Sequence, residues 1–405
     1  MKLAFLILIK RAIFFVFTWI VIAVRLVHAN DTDYVKSTKW SAFVSQTAIY
    51  SSDYNFLSQS DDKASLDLWE AGALFTASMA HGVTFSTQLL GRKVSEFSDE
   101  DIRLDYAFLS VPFYSDFKQT LGVRLGRIRS SYGFYNETRD IPHTRTGVIM
   151  PQAVYFDKTR NSFFSSDGIE FYGFRDFGEF GDQRLGFQLF ISKPLEDKEE
   201  TQEAASLKAR NLDGDKSFLA KVSYGSEIEG FRVAFTYYRP EYDVAVSVPV
   251  SQAPVVTLDE DNASFYSENL VTSIEYNSLN WSLTAEYIRH KFFTKIPVLD
   301  TLPGSKSGNA FYEEAYYLQG LRRISQKWET YIRYDATQLR GSNAYWTDFN
   351  DLNAGISFRP DEHWLIRSEF HYIQGRARLF TRDNEYYAGE SNYWHAGMLQ
   401  IAYRW

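Results

Sequence analysis

Cysteine is absent from the 405-residue chain. That excludes a disulfide framework and any thiolate-ligated metal centre. Past residue 24 no run of 18 apolar residues occurs, so no internal segment reads as a membrane-spanning helix. The sequence also lacks H-E-x-x-H, G-x-S-x-G, a phosphate loop and a dinucleotide fingerprint. Its seven histidines are scattered. His28 lies near the N-terminus, His81 and His363 fall in tight turns, and His290 near a strand end. His371 shares a strand face with Glu369, but an i, i+2 pair on a strand is generic. "NLDGDK" (211–216) offers Asp213 and Asp215, yet its glycine comes too early for an EF-hand loop, so it reads as a solvated acidic loop. These gaps leave no catalytic residue, metal site or cofactor to assign. The chain reads as a non-enzyme.

What is abundant is aromatic side chain, 17% of residues, chiefly 33 Phe and 27 Tyr. Mean hydropathy is nonetheless slightly negative, −0.32. The N-terminus stands apart from this pattern. Lys2, Lys10 and Arg11 precede an apolar stretch from Ala12 to Val24, and Val27-His28-Ala29 gives a small-residue cleavage pattern. Residues 1–29 are therefore expected to be a secretory signal peptide. They carry four positive charges and no negative one, so their removal takes the formal net charge from −8 to −12. An exported chain that acidic is a poor nucleic-acid binder.

From Trp40 onward the dominant signal has period two. "FRVAFTYY" alternates Phe231, Val233, Phe235 and Tyr237 with Arg232, Ala234, Thr236 and Tyr238. "WETYIRYD" and "WLIRSEFHY" behave alike, and "RLDYAFL" sets Leu104, Tyr106 and Phe108 against Arg103, Asp105 and Ala107. Sixteen such segments are predicted between 38–50 and 392–405, most of 10–13 residues. That is the length of a tilted membrane strand and about twice that of an ordinary one. Tight connections ("AHG", "SEIEG", "NSLN", "RPDEH") alternate with long ones. All ten prolines are expected in connections, where a missing ladder donor does no harm. In a bilayer core only a closed barrel pairs every backbone group of a strand. The fold class expected of residues 30–405 is therefore an all-β, closed, transmembrane antiparallel barrel of about sixteen strands.

Charge fixes the faces, because an arginine facing lipid at mid-depth costs roughly 2–4 kcal/mol. The lumen parity carries Arg103, Arg124, Lys221, Arg232, Arg333, Arg359, Arg367 and Arg404. Against them stand Asp105, Glu170, Glu275, Glu286, Glu329, Asp335 and Glu369, close to balance. The longest connection, Ser130–Ser166, is the third long one and is rich in aromatics. A loop of that size is expected to be functional, here by folding into the barrel mouth. With its root it offers Arg127, Arg129, Arg139, Arg145, Lys158 and Arg160 against Glu137, Asp140 and Asp157. Two readings stand side by side: a locally positive constriction favouring anions, or charges that pair with one another and hold the loop to the wall. At the C-terminus, Leu399, Ile401, Tyr403 and Trp405 share the lipid parity. The strand is expected to close the barrel, with Trp405 in the interfacial aromatic girdle.

Sorted loops, a long third loop and a terminal aromatic resemble the Gram-negative outer-membrane porins. "LGVRLGRIRSSYGFYNETRDIPHTR" and "YFDKTRNSFFSSDGIEFYG" (within 121–173) are similar to the phosphate-selective-porin-like (porin O/P type) group. The resemblance implies a passive channel for small hydrophilic solutes or ions, usually a homotrimer, constricted by the third loop. It implies a place in the outer membrane amid lipid and lipopolysaccharide, and a terminal strand read by the barrel-assembly machinery. It does not carry phosphate specificity here, because no ladder of successive lumen arginines is present. The alternative is a non-conducting barrel, plugged by the third loop, with a structural or adhesion role.

Overall fold

The computed structural model describes residues 35–94, 102–177, 183–195, 209–252, 255–301, 307–339, 348–380, 382–384 and 391–405. The expected signal peptide lies outside them. Sixteen strands are formed among the described residues. The first four are β1 (Val35–Ser51), β2 (Ser65–Met79), β3 (Thr84–Lys93) and β4 (Arg103–Ser115). Next come β5 (Gln119–Arg129), β6 (Ser165–Phe177), β7 (Gln183–Pro194) and β8 (Ala209–Gly225). β9 (Phe231–Gln252), β10 (Val255–Asn277), β11 (Trp281–Lys295) and β12 (Gly308–Arg323) follow. The last are β13 (Trp328–Leu339), β14 (Asp348–Phe358), β15 (Trp364–Gly375) and β16 (Tyr393–Arg404).

Each strand pairs antiparallel with its sequence neighbours, and β1 pairs with β16 to close the barrel. The seam runs from Phe43 opposite Arg404 to Ser51 opposite Ala396. It is extended by the Trp405 amide, which donates to Ala42 O at 2.9 Å. Closure leaves no unpaired edge. Alternation divides the wall as the charges require. Phe235, Leu318, Ile332 and Phe370 face outward, each more than half exposed, while Arg333, Asp335, Arg367 and Glu369 face inward and are buried. Leu399, Ile401 and Trp405 also point outward and are exposed.

Three expectations are corrected. In β4 the register against β3 slips between Gln88 and Leu89, so Asp105 is an extra residue. A bulge reverses parity. Asp105 turns inward, but so do Tyr106 and Phe108, while Ala107 moves to the outer face. Prolines are not confined to connections: Pro112 lies in β4, Pro194 ends β7, and Pro240 and Pro249 lie in β9. Pro112, Pro240 and Pro249 sit at register shifts, where the ladder donor is dispensable. Finally, neither 240–266 nor "NLDGDK" (211–216) is a loop: the latter lies within β8, with Asp213 opposite Asp243 in the ladder to β9. β9 and β10 continue to Gln252 and from Val255. Tyr242, Val244 and Val246 keep the inward parity there and pack with Ala263, Phe265 and Ile296.

Candidate functional site: a loop across the lumen

Loop 3, residues 130–164 between β5 and β6, crosses the lumen instead of lying along one wall. On its first limb, Gly133 O accepts from Lys221 Nζ of β8 at 2.6 Å. The Phe134 amide donates to Glu286 Oε1 of β11 at 2.9 Å. The other Glu286 oxygen accepts the hydroxyls of Tyr155 (2.5 Å) and Tyr317 (2.8 Å). Tyr135 donates its hydroxyl to Glu275 of β10. Glu286 is buried with its charge spread over hydrogen-bond donors, the arrangement that makes a buried carboxylate tolerable.

The second limb binds the far wall. Arg145 pairs with Glu70 of β2 at 2.5 Å. Thr146 Oγ1 accepts from Gln319 Nε2 of β12 at 3.1 Å. The Val148 amide donates to Glu369 of β15. Arg333 of β13 reaches Ile149 O at 3.4 Å. Arg367 of β15 grips the tip, donating to Gly147 O at 2.5 Å, Arg145 O at 2.8 Å and Pro142 O at 3.4 Å. Beyond it, His143 Nε2 lies 3.0 Å from His363 O, in the turn between β14 and β15. The loop thus enters at the long-loop end and touches the short-turn end.

Apolar packing completes the filling. Tyr132, Met150, Val154 and Tyr155 pack on Phe190, Leu219, Tyr238, Ile288 and Tyr317 of β7–β12. Val148 and Ile149 join Tyr54, Phe56, Leu379, Ile373 and Trp394 against β1, β15 and β16. Burying a Tyr or Leu side chain fully is worth roughly 1.5–3 kcal/mol, so the two clusters outweigh any single hydrogen bond.

The charges predicted at a constriction are accounted for as follows. Arg129 pairs with Asp105 and, at 2.6 Å, with Asp140. Arg160 pairs with the same two acids. Arg139 reaches Asp157 at 3.2 Å, and Asp157 also accepts from Arg92 at 2.9 Å. Of the two readings, mutual pairing is what the geometry holds. Arg127 is not in the lumen. It shares the outward face of Leu125 and Ile169 and pairs with Asp167 at 2.7 Å, because Gly126 and Ile128 take the inward positions beside it. The side chain of Lys158 lies outside the described residues. Glu137 is 40% exposed and 3.7 Å from Arg124.

On the wall, Arg103 is half-buried at the start of β4. Arg124 pairs with Glu170 at 2.8 Å and Arg232 with Glu275 at 2.8 Å. Each guanidinium also lies over a ring, Arg124 on Tyr172 and Arg232 on Phe134. With Arg232 at 44% and Arg124 at 24% exposure, the β5–β9 side of the lumen keeps a wetted strip. On the opposite side Arg333 pairs with Asp335 at 3.2 Å, and Glu329 pairs with Arg359. His371 bridges Asp351 (2.8 Å) and Glu369 (3.1 Å). Its ring lies against Phe56, and it is fully buried. Among the described residues, no group of three or more His, Asp or Glu is arranged to hold a metal ion.

Sequence reasoning missed Glu70, Arg92, Asp351, Tyr155, Tyr317 and His143. A solitary acid on the inward parity of an otherwise apolar strand, as in "LDLWEAGALF", was the available signal for Glu70.

No family model matches the sequence, and no curated protein does. Solved structures do match over nearly the whole barrel. An anion-selective porin from Comamonas acidovorans is 12% identical over 91% of this chain and 99% of its own, with a TM-score of 0.58. The trimer form of OmpT, an outer membrane protein of Vibrio cholerae, is 11% identical over 91% and 99%, with a TM-score of 0.55. The outer membrane channel DcaP of Acinetobacter baumannii is 11% identical over 91% and 97%, at 0.51. The chain therefore has the fold of the sixteen-stranded outer-membrane porins. Identity this low carries the fold and nothing finer.

Proposed function

We propose that the chain is an outer-membrane channel of the porin type, passing small hydrophilic solutes by diffusion, with its passage held shut by loop 3. The observation that carries this reading is the set of loop bonds to walls on both sides of the lumen, from Lys221 and Glu286 to Glu70 and Arg367. In this state the loop arginines are neutralised by Asp105, Asp140, Asp157 and Glu70. A weak anion preference in the open channel then rests on the wetted Arg124 and Arg232. The chain catalyses nothing and needs no cofactor. It resides in the outer membrane of a Gram-negative bacterium, exported by residues 1–29 and inserted by the barrel-assembly machinery, in contact with lipopolysaccharide. We retain the porin O/P type as its nearest group on the motif within 121–173, and a homotrimer as its assembly, which a cross-linked ladder ending at three subunits would support.

The test is planar-bilayer conductance of the whole chain beside a variant in which 139–149 is replaced by a short Gly-Ser linker. Rare, small events for the parent and large steady steps for the variant support the closed channel. A large, steady parent conductance refutes the closure. Silence from both supports the second reading, a structural or adhesion barrel, which the two apolar clusters inside the lumen favour.

A further inference from the structure

The tip of loop 3 carries a titratable group to the short-turn rim. Pro142–Thr144 form a single 3-10 turn. Thr144 Oγ1 ties it down by donating to Thr138 O at 2.7 Å and Ile141 O at 2.8 Å. His143 projects from this turn, with Nε2 3.0 Å from the His363 carbonyl. A carbonyl only accepts, so Nε2 carries the proton and Nδ1 is a bare lone pair in the neutral ring. Nδ1 is buried and has no partner.

The charged groups facing the ring are cations from three elements: Arg404 of β16, Arg359 after β14 and Arg367 of β15. The turn itself brings His363, 3.8 Å from the Glu362 carboxylate, and Asp361, which is occupied by the amides of His363 and Trp364. Burial, and then these guanidiniums, push the His143 imidazole down to about 4 from its ordinary 6.5. A proton placed on Nδ1 would have no acceptor and would add a fourth positive charge to the pocket.

We propose that His143 is a proton-operated latch: neutral, it docks the loop tip on the β14–β15 turn, and protonation at the rim releases the tip and opens the passage. The proposal rests on reading loop 3 as the closing element. The released tip binds the proton more readily than the docked one. Docking is therefore at full strength well above pH 6.5 and weakens as pH falls toward about 4, by roughly 150-fold across that window.

The chain contains no cysteine, so Thr138→Cys, at an exposed position beside the tip, accepts a single spin label. Label mobility and bilayer conductance are read together from about pH 7.5 to about pH 4.5. In the parent both should rise on acidification. With His143→Gln, which keeps an N–H but cannot take up a proton, both should stay flat. With His143→Lys the label should already be mobile at neutral pH. Heat-modifiable gel mobility confirms that each barrel is folded. An acid response that persists in His143→Gln, or a tip that stays immobile in acid, overturns the latch. Mobility without conductance upholds the latch and refutes the channel. Conductance that rises over an immobile tip does the reverse.

Discussion

Arg367→Met should unlock the loop while leaving the barrel standing. Arg367 is fully buried and donates to the carbonyls of Gly147, Arg145 and Pro142, with Ser357 Oγ at 3.0 Å as its wall partner. Methionine fills a similar length and leaves the backbone ladder to Ser357 and Gln400 unchanged. It strands at least two loop carbonyls, those of Gly147 and Arg145, in a dry site. Each buried acceptor left unpaired costs about 1–3 kcal/mol. The bond to Pro142 O, at 3.4 Å, is long and adds little. The closed state should therefore lose about 3 kcal/mol relative to a released loop whose carbonyls are hydrated. That is roughly a 150-fold shift in the opening equilibrium. Single-channel recording reads this directly as open probability, with heat-modifiable gel mobility as the control for folding. Arg184→Met, which breaks an exposed pair with Asp176 between β6 and β7, should have little effect, as pairs of that kind are worth about 0–1 kcal/mol. A folded Arg367→Met barrel that opens no more often than the parent would refute the account of what holds the tip.

Further outcomes are expected of other residues. Tyr155→Phe removes a hydroxyl that donates to Glu286 and accepts the amides of Phe134 and Tyr135; opening frequency should rise about 5–30-fold, for a loss of roughly 1–2 kcal/mol. In the loop-shortened channel, Arg232→Gln should move the salt-gradient reversal potential toward cations, and an unmoved potential would show that Arg232 does not set the preference. Deleting Trp405 removes the last seam bond, to Ala42 O, and should lower the yield of folded barrel in outer-membrane fractions more than it alters conductance. Normal yield with changed conductance would mean its role is misassigned.

Much of the barrel was legible because its signal is local and repeated. Each strand states its own faces, so Arg333, Asp335, Arg367 and Glu369 were placed inward from alternation alone. The errors arose where one residue changes the phase. The bulge at Asp105 sends Tyr106 and Phe108 into the lumen, and no local pattern announces it, since Tyr and Phe suit either face. Prolines in β9 concealed an alternation that was visible in "YDVAVSV". The loop was legible as long, aromatic and charged. Its partners were not, because a choice such as Arg145 with Glu70, 75 residues away, is made only when the strands have curved into a ring. The position of Arg127, by contrast, was legible: three residues from the inward Arg124 in an unbroken register with β6, it falls on the outer parity.

The seam between β1 and β16 has a consequence for the order of events in assembly. Val148 and Ile149 of loop 3 pack with Ile49 of β1 and Trp394 and Met398 of β16. The first and last strands of the barrel therefore share their inner surface with a segment from the middle of the chain. Such contacts, far apart in sequence, form slowly. A seam that zips first would face an empty interior, whereas a seam that waits for the loop finds a template already in place. If the loop serves as that template, replacing 139–149 by a short linker should slow closure of the seam as well as open the lumen.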